Sequence, residues 1–191
     1  MRSATIERTT VETAVRVHLT LEGVAPSTIS TVLAMFDHLL GAFALHGGLT
    51  LDIDARSKDA IAHHLVEDVA IVLGTALGQA AGSRGSIARY GDALLPMDDA
   101  LVRCAIDAGG RTYARVDLRL KHERIEDLAA DMIPHFFSSL ATNAGFTLHL
   151  DALAGINDHH VAEAAFKAAA RATRAALSLR SGEVLSTKGV L

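Results

Sequence analysis

Hydrophobic and polar positions change period several times along the chain, and each change predicts an element. Residues Glu12–Leu21 (ETAVRVHLTL) alternate apolar and polar side chains, as a strand with one buried face does. Pro26-Ser27-Thr28 then opens a spacing of three and four through Val32, Leu33, Phe36, Leu39, Leu40 and Phe43. That spacing predicts a helix, stopped by His46-Gly47-Gly48. Leu49–Asp54 (LTLDID) alternates again, Arg56–Asp59 is a polar turn, and His63–Ala80 returns to helical spacing.

The second half repeats this order. Thr112–Leu120 (TYARVDLRL) alternates like Glu12–Leu21, and Glu126–Ala144 predicts a helix broken by Pro134. Phe146–Leu153 matches LTLDID, and His159–Leu177 mirrors His63–Leu77. The offsets are nearly constant: 159 − 63 = 96 for His63 and His159, 148 − 51 = 97 for Leu51 and Leu148, and 135 − 38 = 97 for His38 and His135. The expected fold is α+β: a duplicated half-domain of strands plus two helices, with sheets packed on a shared helical layer. The halves are expected at 1–96 and 97–191 within one compact domain, joined near Arg84–Asp107. Gly82–Pro96 (GSRGSIARYGDALLP) is the most loop-like stretch and the expected linker.

Composition narrows the class. Half of the 191 residues are hydrophobic, 21% are charged and the formal net charge is −4. No basic patch points to nucleic acid, and the longest apolar runs, such as Val69–Leu77, are too short to span a bilayer. The opening MRSATIERTT is polar and lacks the apolar core of a secretory signal. A lone cysteine, Cys104, fits a reducing cytoplasm. Ten histidines, however, are many for this length.

Four of those histidines form His63-His64-Leu65-Val66-Glu67 and His159-His160-Val161-Ala162-Glu163, one motif per repeat. On a helix, positions i and i+4 share a face while i+1 is rotated by about 100°. His63 with Glu67, and His159 with Glu163, can each grip one metal while His64 and His160 point elsewhere. Pseudo-twofold symmetry between the halves suggests an exchange. One site would take His63, Glu67 and His160, and the other His159, Glu163 and His64. His135 and His38, equivalent in the repeat, would complete them. Three imidazoles and one carboxylate leave room for substrate but suit Zn, Fe, Ni, Cu or Mn alike. His18, His122 and His149 lack a partner motif and are expected to be surface or core residues.

Beyond these motifs, FDHLLGAFALHGG (36–48), HHLVED (63–68), IARYG (87–91), PMDDAL (96–101), HFFSSLATNAG (135–145), NDHHVAEAAFKA (157–168) and STKGVL (186–191) occur in order. Over nearly its whole length the chain resembles imidazoleglycerol-phosphate dehydratase. The resemblance implies two Mn ions per active site, with pockets completed by neighbouring copies in a homo-oligomer of two dozen chains. It assigns His38, His64, His159 and Glu163 to one ion, and His63, Glu67, His135 and His160 to the other. It places Glu12 of TTVET, His38 and His46 against substrate. It gives the phosphate to Arg89, Arg111, Lys167, Ser186, Thr187 and Lys188. The chain departs from the family's usual pattern at Val32–Met35, at Gly41, at GGRTY, and by one extra residue in RGSIARYG.

The implied reaction removes water from imidazole-glycerol phosphate to give imidazole-acetol phosphate, in histidine biosynthesis. Metals on both ring nitrogens would favour the imidazolate and let the ring accept electrons. Glu12 is the candidate acid/base and His46 a second. Two competing readings are a dinuclear metallohydrolase and a non-catalytic metal-bound scaffold. The first expects a bridging carboxylate, and the second leaves Glu12, Arg89, Arg111 and Lys188 without a role.

Overall fold

The structure, a computed structural model, describes residues 2–23, 25–181 and 184–186. The first half runs β1 (Ser3–Thr9), β2 (Thr13–Thr20), β3 (Thr28–Ser30), α1 (Ala34–Gly47), β4 (Thr50–Ser57) and α2 (Ala62–Ala81). The second runs β5 (Tyr90–Met97), β6 (Ala100–Asp107), β7 (Tyr113–Asp117), β8 (Arg124–Ile125), β9 (Leu128–Ala129), α3 (Met132–Ala144), β10 (Thr147–Ala154) and α4 (Asp158–Leu177).

Two four-stranded sheets have the same order, β1-β2-β4-β3 and β5-β6-β10-β7. In each, the first three strands pair antiparallel and the last, β3 or β7, pairs parallel to its neighbour. The duplication is thus topological as well as sequential. Among the described residues, the β8–β9 hairpin has no counterpart in the first half. It accounts for the change in offset, from 87 at β6 (100 − 13) to 97 at β10 (147 − 50).

Each sheet turns one face inward, with Val15, Val17, Leu19, Leu51 and Ile53 from the first and Val102, Cys104, Ile106, Leu148 and Leu150 from the second. α2 lies on β1 and β2, and α4 lies on β5 and β6. The helices then pair across the halves, α2 with α3 and α1 with α4. Phe36 of α1 meets Phe136 of α3 edge-on at 5.4 Å, and Phe136 stacks on Phe166 of α4 at 5.0 Å. Fully burying a side chain of this size contributes about 1.5–3 kcal/mol, so the seam between halves is a hydrophobic core. Two glycines permit the close approaches. A Cβ on Gly74 of α2 would lie 2.6 Å from Leu140 O of α3, and one on Gly91 of β5 would lie 2.1 Å from Ala172 O of α4.

Several local expectations are corrected. Gly82–Pro96 is a loop only up to Arg89, because Tyr90–Met97 forms edge strand β5. Pro96 is tolerated there because β5 pairs on one side alone. The division expected at 96/97 falls inside the β5–β6 hairpin, and we propose a junction within 82–89 instead. The repeat partner of β2 is β6, whereas the alternating stretch at 112–120 supplies β7, the partner of β3. Period-two alternation marks any half-buried strand and cannot say which one it is. The polar N-terminus is edge strand β1, with only Ala4 fully buried. Pro26–Ser30 is extended rather than helical, and α1 starts at Ala34. Residues 126–131 form the β8–β9 turn and its exit, so Pro134 sits in the first turn of α3, where its missing N–H costs nothing.

Candidate metal centre

Both histidine motifs occupy helix N-termini, α2 beginning at Ala62 and α4 at Asp158. The i, i+4 geometry brings His159 Nε2 to 3.5 Å from Glu163 Oε2 on one face of α4. Since α1 packs against α4, His38 of α1 joins them, its Nε2 3.0 Å from the same oxygen. His63 and Glu67 of α2 meet His135 of α3 in the same way, through the α2–α3 pairing. His135 Nε2 lies 3.4 Å from Glu67 Oε1, and its ring stacks on His63 at 4.7 Å. In each trio the ligand atoms all lie within 4.8 Å of one another. The cross-half helix pairs therefore build two related His-His-Glu clusters.

The ends of the helices are held from outside. Leu33 offers α1 no side-chain cap, and Asp127 of the β8–β9 turn takes its place. Its carboxylate accepts from Ala34 N at 2.6 Å and Met35 N at 2.9 Å. Asn157 caps α4 by accepting from His159 N at 2.9 Å. His38, His159 and Glu163 line an open cavity with Ala34, Met35, Glu126 and Asp127.

The donor sets suit a divalent cation. His135 Nε2 is buried with no hydrogen-bond partner, which is costly for an imidazole unless something occupies it. Burial raises the Glu163 carboxyl, but hydrogen bonds from Lys167 and His38, with their charges, outweigh it and bring it down to about 2. Lys167 Nζ stands 2.7 Å from Glu163 Oε1. Glu163 is thus an anion ready to ligate.

His64 and His160 do not join either trio within the chain. One residue past His63 or His159, each is turned about its helix axis and away from the cluster. His64 Nδ1 contacts Asp59 Oδ2 at 2.6 Å and lies 3.8 Å from Glu12 Oε1. His160 Nδ1 contacts Asp99 Oδ1 at 2.6 Å, and its Nε2 lies 3.5 Å from Asp98 Oδ2. Hydrogen bonds to Asp59 and Asp99 hold both histidines above their ordinary pKa.

Of the residues expected around substrate, Glu12 is half-buried beside His64. His46 lies in the last turn of α1, and burial, then the charges of Lys167 and Arg171, lower its pKa. Arg89, at φ 71°, is buried and forks onto Asp107 at 2.7 and 2.9 Å, with a further bond to the Leu185 carbonyl. Arg111 is exposed, 4.0 Å from Asp107 Oδ2, the oxygen that Arg89 Nη2 also contacts. Ser186 is partly exposed, while Thr187 and Lys188 lie outside the described residues. His18 contacts Thr5, His122 contacts Asp158 and shares a pocket with His159, and His149 lies against Tyr113; none of the three is in a trio.

Sequence reasoning missed Asp59, Asp99 and Asp127. Asp59 stands in the turn before α2, but Asp99 meets His160 across 61 positions and Asp127 reaches α1 across 92 or more. No local periodicity reports contacts of that kind.

The family model for imidazoleglycerol-phosphate dehydratase (IGPD) matches residues 31–173. The imidazoleglycerol-phosphate dehydratase of Chlorobium chlorochromatii is 46% identical over 100% of this chain and 97% of its own length. That of Methanococcoides burtonii is 46% identical over 100% of both chains. Among solved structures, the Staphylococcus aureus enzyme superposes with a TM-score of 0.84 at 32% identity, covering 94% of this chain and 99% of that one. IGPD from Pyrococcus furiosus gives 0.85 at 39% identity, covering 97% and 100%. Full-length similarity, shared fold and two histidine-rich clusters agree: the chain belongs to the imidazoleglycerol-phosphate dehydratase family.

Proposed function

We propose that this chain is a hydro-lyase of histidine biosynthesis, converting imidazoleglycerol phosphate to imidazole-acetol phosphate with two Mn ions per active site. The observation that carries this reading is the pair of three-ligand clusters, His38-His159-Glu163 and His63-Glu67-His135, each one histidine short. His64 and His160, turned outward, are the missing ligands, supplied between neighbouring copies of a 24-chain homo-oligomer. The expected ligand sets are then His38, His159 and Glu163 with His64, and His63, Glu67 and His135 with His160.

Bound there, the two ions would supply Lewis-acid stabilisation of negative charge on the imidazole ring. The protein side chains do the rest. Glu12, beside His64, holds or delivers a proton at the departing hydroxyl, and His46 is the second group able to do so. Exposed Arg111, with Lys167, Ser186, Thr187 and Lys188, neutralises the phosphate and holds the ring in register. Arg89, already forked onto Asp107, fixes the carboxylate beside Arg111 and borders the same phosphate site. Among the described residues Glu67 and Glu163 sit in separate clusters, which counts against the bridging carboxylate that a dinuclear hydrolase would use. No helix among the described residues is long and apolar enough to cross a membrane, and we assign the enzyme to the cytoplasm.

The test is to load the purified chain with Mn(II) and assay imidazoleglycerol phosphate for ketone product. Turnover is expected. A stable, metal-replete oligomer without turnover would leave only the scaffold reading. Glu12→Gln should keep normal metal content and lose turnover, and full activity in that variant would remove Glu12 from the chemistry.

A further inference from the structure

His64 and His160 share a close carboxylate contact that is made from non-matching positions in the two halves. Asp59 Oδ2 meets His64 Nδ1 at 2.6 Å, while its Oδ1 accepts from Ile61 N and Ser57 Oγ, both at 2.9 Å. Asp99 Oδ1 meets His160 Nδ1 at 2.6 Å, while its Oδ2 accepts from Asn157 N at 3.0 Å and from Ile156 N. In both halves one carboxylate oxygen braces the backbone just ahead of the helix, and the other fixes the ring of the motif's second histidine. The sources differ. Asp59 lies between β4 and α2, five positions before its histidine, whereas Asp99 comes from the β5–β6 turn. In the second half, the position matching Asp59 holds Gly155 or Ile156 (59 + 96 or 59 + 97), and neither has a carboxylate. By the β6 offset of 87, Asp99 matches Glu12, which approaches His64 to only 3.8 Å; the close ring contact in the first half comes instead from Asp59, at a position unrelated to Asp99. A brace of the helix start needs only the backbone bonds, so the recurring ring contact calls for another reason.

We propose that Asp59 and Asp99 are positioning residues for the metal centres. Each carboxylate accepts a hydrogen bond from the Nδ1–H of its histidine, which fixes the neutral tautomer with the Nε2 lone pair available to ligate and aims that nitrogen away from its own helix cluster. The inference rests on the proposed role of His64 and His160 as ligands delivered to a neighbouring copy. A histidine that must find a metal held by another subunit gains most from such fixing, because the ligands of its own helix cluster do not hold it. Glu12, Asp59 and His64 are also close enough to one another to hold an ion themselves. On this account Asp59 does not ligate, and that trio holds none.

The experiment titrates metal-free protein with Mn(II) by calorimetry, for the parent and for Asp59→Ala, Asp99→Ala, Asp59→Asn, Asp99→Asn, His64→Ala and His160→Ala. Thermal unfolding of each metal-free form is measured alongside. The alanine variants should weaken Mn(II) binding by about 10- to 100-fold. The asparagine variants, which keep one neutral acceptor oxygen and can serve the ring or the backbone but not both, should recover part of that loss. Stoichiometry should stay at two ions per chain. Unchanged Mn(II) affinity in the aspartate variants, with weaker binding in the histidine variants, overturns the positioning role alone. Unchanged binding in the histidine variants overturns the ligand reading and the positioning role together. A third ion per chain that disappears in Asp59→Ala would make Asp59 a ligand and contradict the proposal.

Discussion

A buried imidazole nitrogen left without a hydrogen bond costs about 1–3 kcal/mol, and His135 Nε2 is in that position beside Glu67. The metal-free protein therefore carries a local penalty that a bound cation would relieve. Mn(II) at about 100 times its dissociation constant should raise stability by about 2.7 kcal/mol, seen as a higher Tm in a thermal melt. His135→Ala should shrink that rise and, by removing the unpaired nitrogen, leave the metal-free Tm no lower than the parent's. An equal Mn(II)-induced rise in the variant would place the metal elsewhere. A second residue sets a pH response far from the metal ligands. Burial raises the Asp151 carboxyl, but hydrogen bonds from Arg103 and Arg115 outweigh it and hold it below its ordinary value. A depressed carboxyl stabilises the fold above its unfolded pKa of about 3.9. That contribution is lost as pH falls through the lower folded value. Both arginines are about half exposed, so Asp151→Asn should cost only about 1–2 kcal/mol at neutral pH. The difference between variant and parent should fade in melts taken at progressively lower pH below that range; a gap constant down to the acid limit would refute the assignment.

At the scale of elements, the site depends on how α1 and α4 approach each other and the second sheet. A Cβ at Gly91 would lie 2.1 Å from Ala172 O and 2.4 Å from Ala176 N, so Gly91→Ala must push β5 and α4 apart. Overpacking of this kind costs about 1–3 kcal/mol or more, and a clearly lower Tm is expected. The start of α1 is weaker, since Asp127 alone caps it from the β8–β9 turn. Asp127→Ala should cost about 0.5–2 kcal/mol and weaken Mn(II) binding, because His38 lies one turn into that helix. The helices and their motifs were legible in the sequence because i, i+4 spacing is local and a repeated His-His-x-x-Glu is rare. Strands β1 and β5 were not. β1 buries only Ala4, and β5 contains Gly91 and Pro96, which read as turn residues until α4 and the open sheet edge explain them. Asp59 and Asp99 escaped for the same reason: the contacts that give them meaning are made by the fold and not by spacing.

The whole molecule is two copies of one half-fold, sealed by pairing α1 with α4 and α2 with α3. That pairing produces two three-ligand clusters and leaves His64 and His160 turned away from them. An assembly is the arrangement in which every one of these groups has a use. If metal ties copies together, a chelator should dissociate or loosen the oligomer, and Mn(II) should restore it. His64→Ala should weaken that response, which mass photometry at matched concentrations can follow. The central claim, that each cluster takes its fourth histidine from another copy, has a direct test in mixing. His64→Ala and Glu163→Gln are each expected to be inactive when pure. Dissociated together and reassembled in mixture, some sites will join an intact His38-His159-Glu163 cluster to His64 of a Glu163→Gln chain. Activity should return in the mixture, well above the sum of the two pure variants. A reassembled mixture as inactive as its components would show that the ligands belong to one chain and contradict the account.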